Sequence, residues 1–380
     1  MSTPRRQGTG CGSRGFALLT VIAAIVVMSL LAGAITLTVD RLRSASAAQQ
    51  QALEGTLAAY STRSTLLFML ATQRMTFAGL TAGDPLTRTA PAQSMSARNP
   101  AGSDGEAISF VPTGHELRLD GTLYRGLGTS TFALQDDRGL LSVNWAVPGM
   151  MQGLLHRLGV PLDARGRLIQ ALRDYQKALA PGAIAFAGDG LSAGAGSHGA
   201  LAHHVLLTPY QLLSIPAWRP YLERWSDRQI GRFLTTTRNV SVNLNSAPAA
   251  VMETLPGVEP SQVKRVIDLR DETALASESM GYALLPGIPE GSGLLMLYPS
   301  NSGTLTCWPT RGQPGVQVHY TLTPFGPHGK PWRIDYVVHL AQPPPATVPA
   351  RRAAGAPLLA REVPAQPGRT GTAASGAWRR

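Results

Sequence analysis

The chain has 380 residues, 44% hydrophobic and only 6% aromatic, and its 40 Gly and 29 Pro make any folded part loop-rich. A formal charge of +11 invites a nucleic-acid partner, yet Arg5, Arg6 and Arg14 lie in the first 15 residues without an acid, and six Arg against Glu362 alone follow Gln342. The body between carries 25 basic and 22 acidic residues, a net of +3, so the excess bears on topology more than on a binding face. Cys11 and Cys307 flank the apolar segment, and the only His pair, His203-His204, falls in an expected loop, so no clustered zinc set arises.

Residues 1–15 read as a basic leader and residues 16–39 as an anchor. Phe16 to Val39 runs for 24 residues without a charge and is closed by Asp40, Arg41 and Arg43. As a helix it is ~36 Å long, enough to cross a bilayer core. The preceding arginines keep the N-terminus cytoplasmic and put the chain beyond residue 40 on the far side. Residues 40–80 continue as a helix with an intermittent apolar face at Leu53, Leu57, Tyr60 and Leu66 to Leu70. Residues 81–105 read as a loop.

Short strands are expected at Ala107–Val111, Glu116–Leu119, Thr122–Gly126, Thr131–Gln135 and Leu140–Asn144, with Asp136-Asp137-Arg138-Gly139 as a turn. Met150 to about Leu179 is helical, and residues 181–200 form a Gly/Ala/Ser-rich insertion. Helical signals resume at Thr208-Pro209 and over Trp218–Phe233. Within residues 239–272, Ser246 is the expected cap of a short helix with Pro248 in its first turn. Pro256-Gly257 then breaks the chain after Leu255, and Pro260 opens a second helix. Residues 281–315 are Gly/Pro-punctuated, strands follow at Val316–Leu322 and Arg333–Leu340, and residues 342–380 read as a disordered Pro/Ala/Arg-rich tail. The units are thus 1–15, 16–39, 40–146, an inserted helical block 147–280, strands over 281–341, and the tail.

Ser13-Arg14-Gly15-Phe16-Ala17-Leu18-Leu19-Thr20 resembles the type IV prepilin signal. That resemblance implies cutting between Gly15 and Phe16 by prepilin peptidase, N-methylation of Phe16, and retention of the apolar helix as an anchor; a plain single-pass helix is the alternative. Pilins and most pseudopilins carry Glu at the fifth mature position, where this chain has Thr20. The K-type minor pseudopilin of type II secretion is the pilin-like subunit known for lacking it. A carboxylate in hydrocarbon is costly unless paired, so its absence suits a tip subunit with nothing above it.

Asn243-Leu244-Asn245-Ser246-Ala247-Pro248 resembles the phrase that precedes a helical hairpin in K-type subunits, and Ala133 to Asn144 resembles their strand-turn-strand. The resemblance implies an α+β fold: a pilin-like N-terminal membrane helix and an α/β head carrying a large inserted helical domain, SAM-like or helix-hairpin-helix-like. It implies a minor pseudopilin at the pseudopilus tip, in the inner membrane with a periplasmic head, assembling with I-, J- and H-type minor pseudopilins. Such a protein exports others by assembly and binding, not catalysis.

The family's calcium sites do not carry over. The region after Asp174-Tyr175 lacks the expected acids, and Asp136, Asp137 and Asp189 read equally well as turn residues, so no metal and no cofactor is assigned. No G-x-S-x-G, H-E-x-x-H or P-loop occurs, and Gly188-Asp189-Gly190 lies in a loop. Asp268, Asp271 and Glu272 form a solvated helix end. One rival is a membrane-tethered DNA-uptake receptor gripping phosphates with the hairpin through Lys264, Arg265 and Arg270. Another is a minor pilin of a type IV pilus.

Overall fold

A computed structural model describes residues 14–82, 110–178, 205–310, 313–323, 330–341, 350–352 and 356–360. The leader before Arg14, Cys11, His203-His204, Asp189, most of the 81–105 loop, the 181–200 insertion and most of the tail lie outside these residues, as does the start of the strand expected at Ala107.

The elements run α1 (Arg14–Thr72), β1 (Met75–Thr76), β2 (Gly79–Thr81), β3 (Glu116–Leu117), β4 (Asp120–Arg125), β5 (Thr131–Asp136), β6 (Leu141–Ser142), α2 (Pro148–Arg157) and α3 (Leu162–Ala178). Next come α4 (Arg219–Leu222), α5 (Asp227–Phe233), β7 (Leu234–Thr235), β8 (Val242–Asn243), α6 (Ala249–Met252), α7 (Pro260–Glu272) and α8 (Glu278–Leu284). β9 (Leu295–Met296), β10 (Ser302–Trp308), β11 (Gly315–Leu322), β12 (Trp332–Leu340) and α9 (Pro357–Ala360) complete the chain. The protein is α+β.

Among the described residues, two compact units divide between Glu54 and Gly55. In the first, the apolar side chains of α1 from Leu18 to Leu37 are more than half exposed on every side. A helix apolar all round belongs in hydrocarbon, and this one is long and apolar enough to cross a membrane.

In the second unit the last turns of α1 bury one stripe. Gly55, Ala59, Thr62, Leu66, Met69 and Leu70 recur at helical spacing on one face. That stripe packs on an antiparallel sheet of order β12-β11-β10-β5-β4. Leu66, Leu67 and Met69 share a core with Phe132, Leu134, Leu305 and Val318. Fully burying each such side chain stabilises by about 1.5–3 kcal/mol. Thr62 is the polar exception in the stripe: its Oγ1 lies 2.7 Å from Ser130 Oγ and accepts from Leu127 N at 2.9 Å.

β5 and β10 are sheet neighbours, paired from Asp136↔Gly303 to Thr131↔Trp308, yet everything from β6 to β9 lies between them in sequence. This intervening block has its own core, built on Leu154, Trp218, Leu222, Ile230, Val251 and Val266. It covers the sheet face opposite α1, where Tyr210 Oη meets Gln317 Oε1 at 3.0 Å.

Five expectations need correction. The tail over 342–380, expected to be disordered, carries α9, with Ala356 and Leu359 in the sheet core, and Arg351 bridges Tyr124 on β4. The helix expected to residue 80 stops at Thr72, because Met75↔Leu80 and Thr76↔Gly79 form a small hairpin there. The pattern from Met150 to Leu179 is two helices, divided where Gly159 takes φ +72° and Pro161 precedes α3. The Gly/Pro-punctuated stretch 281–315 contains the end of α8 and the central strand β10, and residue 280 falls inside α8. Ser246 does not cap α6; Pro248 holds that position.

Candidate functional site

β5 ends in Asp136, and the chain then tightens into a 3-10 turn, Asp137–Gly139, whose Arg138 N donates to Asp136 Oδ1 at 3.2 Å. Asp136 and Asp137, which read from the sequence equally well as ligands or as turn residues, are 1% and 0% exposed. Buried carboxylates require donors. Asp136 Oδ1 accepts from Ser300 N and Ser300 Oγ, both at 2.8 Å. Asp136 Oδ2 accepts from Asn243 Nδ2 at 3.0 Å and Ser246 Oγ at 2.8 Å. Asp137 Oδ2 accepts from Thr237 Oγ1 at 2.5 Å and Ser302 Oγ at 2.7 Å, and lies 2.8 Å from His319 Nε2.

The outgoing arm of the inserted block (Ser300, Ser302) and its interior (Thr237, Asn243, Ser246) are thereby tied to the end of β5. His319, on β11, also has Nδ1 at 2.8 Å from Asp335 Oδ2, and its ring stacks on Tyr336 at 4.8 Å. Both nitrogens donate only in the imidazolium form. Burial opposes that charge, but Asp137 and Asp335 together outweigh it and lift His319 to about 10. Burial likewise opposes the charge on Asp137, yet the His319 cation and the hydroxyl donors leave its pKa lowered. Asp335 is lowered for the same reason, with burial again working against it. Burial pushes Asp136 up despite its donors.

This cluster is structural in its chemistry. The His319 side chain is 5% exposed and held between two carboxylates, so it presents no base to a substrate. The pair offers calcium few free oxygens. Asp136 is filled by N–H and O–H donors, and Asp137 Oδ1 is the one carboxylate oxygen of the pair without a partner among the described residues. Calcium takes six to eight oxygens. Asp174, on α3, accepts from Gln170 Nε2 at 2.8 Å. Among the described residues no group of three or more His, Cys, Asp or Glu is placed to hold a metal.

The hairpin residues take two roles. Asn243 serves the junction, while its Oδ1 accepts from Asn245 N at 3.0 Å. Asn245 donates to Leu275 O and Leu297 O and accepts from Leu275 N at 2.9 Å, pinning three segments together. Leu255 is 3% exposed. Pro256 and Gly257 form the tip between α6 and α7, with Gly257 at φ +72°. That tip abuts Gly287: a Cβ on Gly287 would sit 2.1 Å from Gly257 O, and one on Gly257 3.0 Å from Gly287 O. Arg270 Nη1 donates inward to Leu244 O at 2.9 Å and to Ala247 O at 2.5 Å. Lys264 pairs with Asp268 at 2.5 Å. Of the three cations expected to grip phosphate, Arg265 alone is outside these contacts.

Gly15 and Phe16 lie in the first turn of α1, and Thr20 follows on its exposed apolar stretch. They belong to the first compact unit, whereas the junction and the hairpin belong to the second. The junction residues His319, Asp335, Ser300 and Ser302 escaped sequence reasoning. A histidine inside the alternating run Val316–Leu322, and an acidic doublet closing a strand, were the available signals.

No protein-family model matches this chain, and comparison with curated proteins finds no match. Among solved structures, it is similar to a chain in the crystal structure of the GspK–GspI–GspJ complex from the type 2 secretion system of enterotoxigenic Escherichia coli. The two are 12% identical, with 79% of this chain and 99% of that chain covered and a TM-score of 0.40.

Proposed function

We propose that this protein is a minor pseudopilin of the K type, a tip subunit of a type II secretion pseudopilus that acts by assembly and binding and not by catalysis. One observation carries the reading. A single helix is apolar all round at its start and buried along one stripe at its end, under an antiparallel sheet whose neighbouring strands β5 and β10 enclose a large helical block. The prepilin-like signal and Thr20 support it from the sequence.

On this reading prepilin peptidase cuts between Gly15 and Phe16, Phe16 is methylated, and the helix anchors the protein in the inner membrane with its head in the periplasm. Its partners are I-, J- and H-type minor pseudopilins, joined through helix packing in the bilayer and head-to-head contacts. The bulk of the inserted block suits a position that need not repeat along a filament. The DNA-receptor alternative is disfavoured by the inward bonds of Arg270, the Lys264–Asp268 pair and the hairpin tip packed on Gly287.

The test is the N-terminal mass of the membrane-extracted protein, with and without prepilin peptidase. A peptidase-dependent start at methylated Phe16 supports a pilin-like subunit; an intact Met1 sinks it. Co-purification with I- and J-type subunits, rather than with type IV pilus components, then distinguishes the secretion system from a pilus.

A further inference from the structure

The five-stranded sheet has two edges, and the chain treats them differently. At the β4 edge, Arg351 N donates to Leu123 O at 2.8 Å and Arg125 N donates to Arg351 O at 2.9 Å. This parallel bridge seals the edge, with Ala350 and Ala356 packed on the neighbouring cores. The opposite edge is β12, at nine residues the longest of the five strands. Among the described residues β11 is its only strand partner, and no turn, loop or tail backbone bonds to it.

An open ladder of N–H and C=O groups is a template for another strand, and natural sheets blunt it with a bulge, an inward charge, Pro or Lys. The first part of β12 is blunted in this way. Pro331 precedes it, the register with β11 shifts between His319 and Tyr320, and Asp335 turns inward to His319 and Thr321. The second part is not. Residues 336–340 pair in unbroken register with 315–319, and their sequence Tyr-Val-Val-His-Leu holds no Pro, Lys or acid. Tyr and Val favour the extended conformation. Val337 lies opposite Val318, a core residue beneath α1, yet it is 49% exposed. Ile334, opposite the buried Tyr320 of the same core, is 39% exposed. Directly opposed residues share a face, so both lie on the α1 side of the sheet, where the core meets water.

We propose that residues 336–340 take up an extended segment of a second protein as an added strand beside β12. The unpaired backbone sets the conformation of that segment. Val337 and Ile334 set its side-chain pattern, with apolar residues at alternate positions on the α1 side. A second copy of this chain is disfavoured by direction. Two copies of one edge pair only antiparallel, about a two-fold axis perpendicular to the sheet. That axis reverses the part of α1 that lies on the sheet, and two such anchors would not enter one membrane from the same side. This last step rests on the anchor reading, whereas the open edge does not.

The test uses the full-length protein in detergent micelles and the fluorescence anisotropy of a short labelled peptide alternating Val and Thr. The comparator is the same peptide N-methylated at alternate residues, which keeps the side chains and removes the backbone donors. The unmodified peptide should bind at least about tenfold tighter, and hydrogen exchange should slow at residues 336–340 and not at β4. Val337→Lys should abolish that binding, and Val337→Thr should keep most of it. Equal binding of the two peptides overturns the proposal, as does no binding of either. So does protection at β4 in place of β12, or undiminished binding by Val337→Lys. Self-association of the unaltered protein that Val337→Lys removes would make the occupant a second copy and overturns it too. If that variant does not fold, the peptide comparison on the unaltered protein decides. Processing at Phe16 is independent of all these outcomes, so failure here leaves the pseudopilin reading standing.

Discussion

His319 Nε2 lies 2.8 Å from Asp137 Oδ2, joining positions 182 residues apart. The pair crosses from β11 to the turn after β5, so its charge state is coupled to folding. A raised His319 pKa contributes stability that is complete below the unfolded value near ~6.5 and is lost as pH rises through about 10. The lowered Asp137 and Asp335 contribute above the ordinary carboxylate range and are lost as pH falls through their folded values. The melting midpoint should therefore decline on both sides of a plateau. In His319→Gln the midpoint should drop at neutral pH by the equivalent of about 3 kcal/mol, the low end for a broken buried pair. It should also lose the decline between neutral pH and 10. Parallel curves for the two proteins would refute the coupling.

Leu66 is fully buried against the sheet while Leu57, nine positions earlier on the same helix, is 56% exposed. Leu66→Ala should cost about 2–5 kcal/mol in denaturant unfolding. Leu57→Ala should stay within about 0.5 kcal/mol. Equal costs would mean that the Leu66 stripe is not the one that holds the sheet.

At the hairpin tip, two glycine backbones meet. Gly287→Ala puts a methyl 2.1 Å from Gly257 O, and backbone cannot yield as a side chain does. It should destabilise by about 1–3 kcal/mol or more. Gly257→Ala meets a milder clash but also a φ of +72° that L residues resist, so a loss of about 1 kcal/mol is expected. Thermal unfolding of the two variants side by side checks the order.

Cys307 sits in the middle of the sheet, and burial pushes its thiol up to about 12. It should resist a thiol-specific reagent in the native protein at mildly alkaline pH and react once denatured. Peptide mapping after labelling reads this directly; fast native labelling at Cys307 would show that β10 opens.

The N-terminal helix, β5, β11, β12 and the hairpin helices are visible in the sequence because their periodicity or their capping residues are local. β10 is not. Its run Ser-Gly-Thr-Leu-Thr-Cys-Trp has small and polar residues where both faces are covered. Gly303 is required because a Cβ would fall 2.4 Å from Gln135 O. That requirement belongs to a neighbouring strand, and no window around residue 303 reveals it. Asp136 and Asp137 are likewise good turn residues by composition. Their burial follows from Ser300, Ser302 and His319, which lie 164 to 182 positions away.

The inserted block leaves β5 after Asp136 and returns into β10 at Ser302, so both of its tethers emerge at the same end of one strand pair. A load drawing the block away from the sheet would act as a zipper pull, peeling the ladder rung by rung from Asp136↔Gly303 rather than shearing all its bonds at once. The carboxylate bonds from Asp136 to Ser300 and from Asp137 to Ser302 bridge the two tethers at that first rung. They form the stop at the top of the zipper, and mechanical failure of the head should begin there.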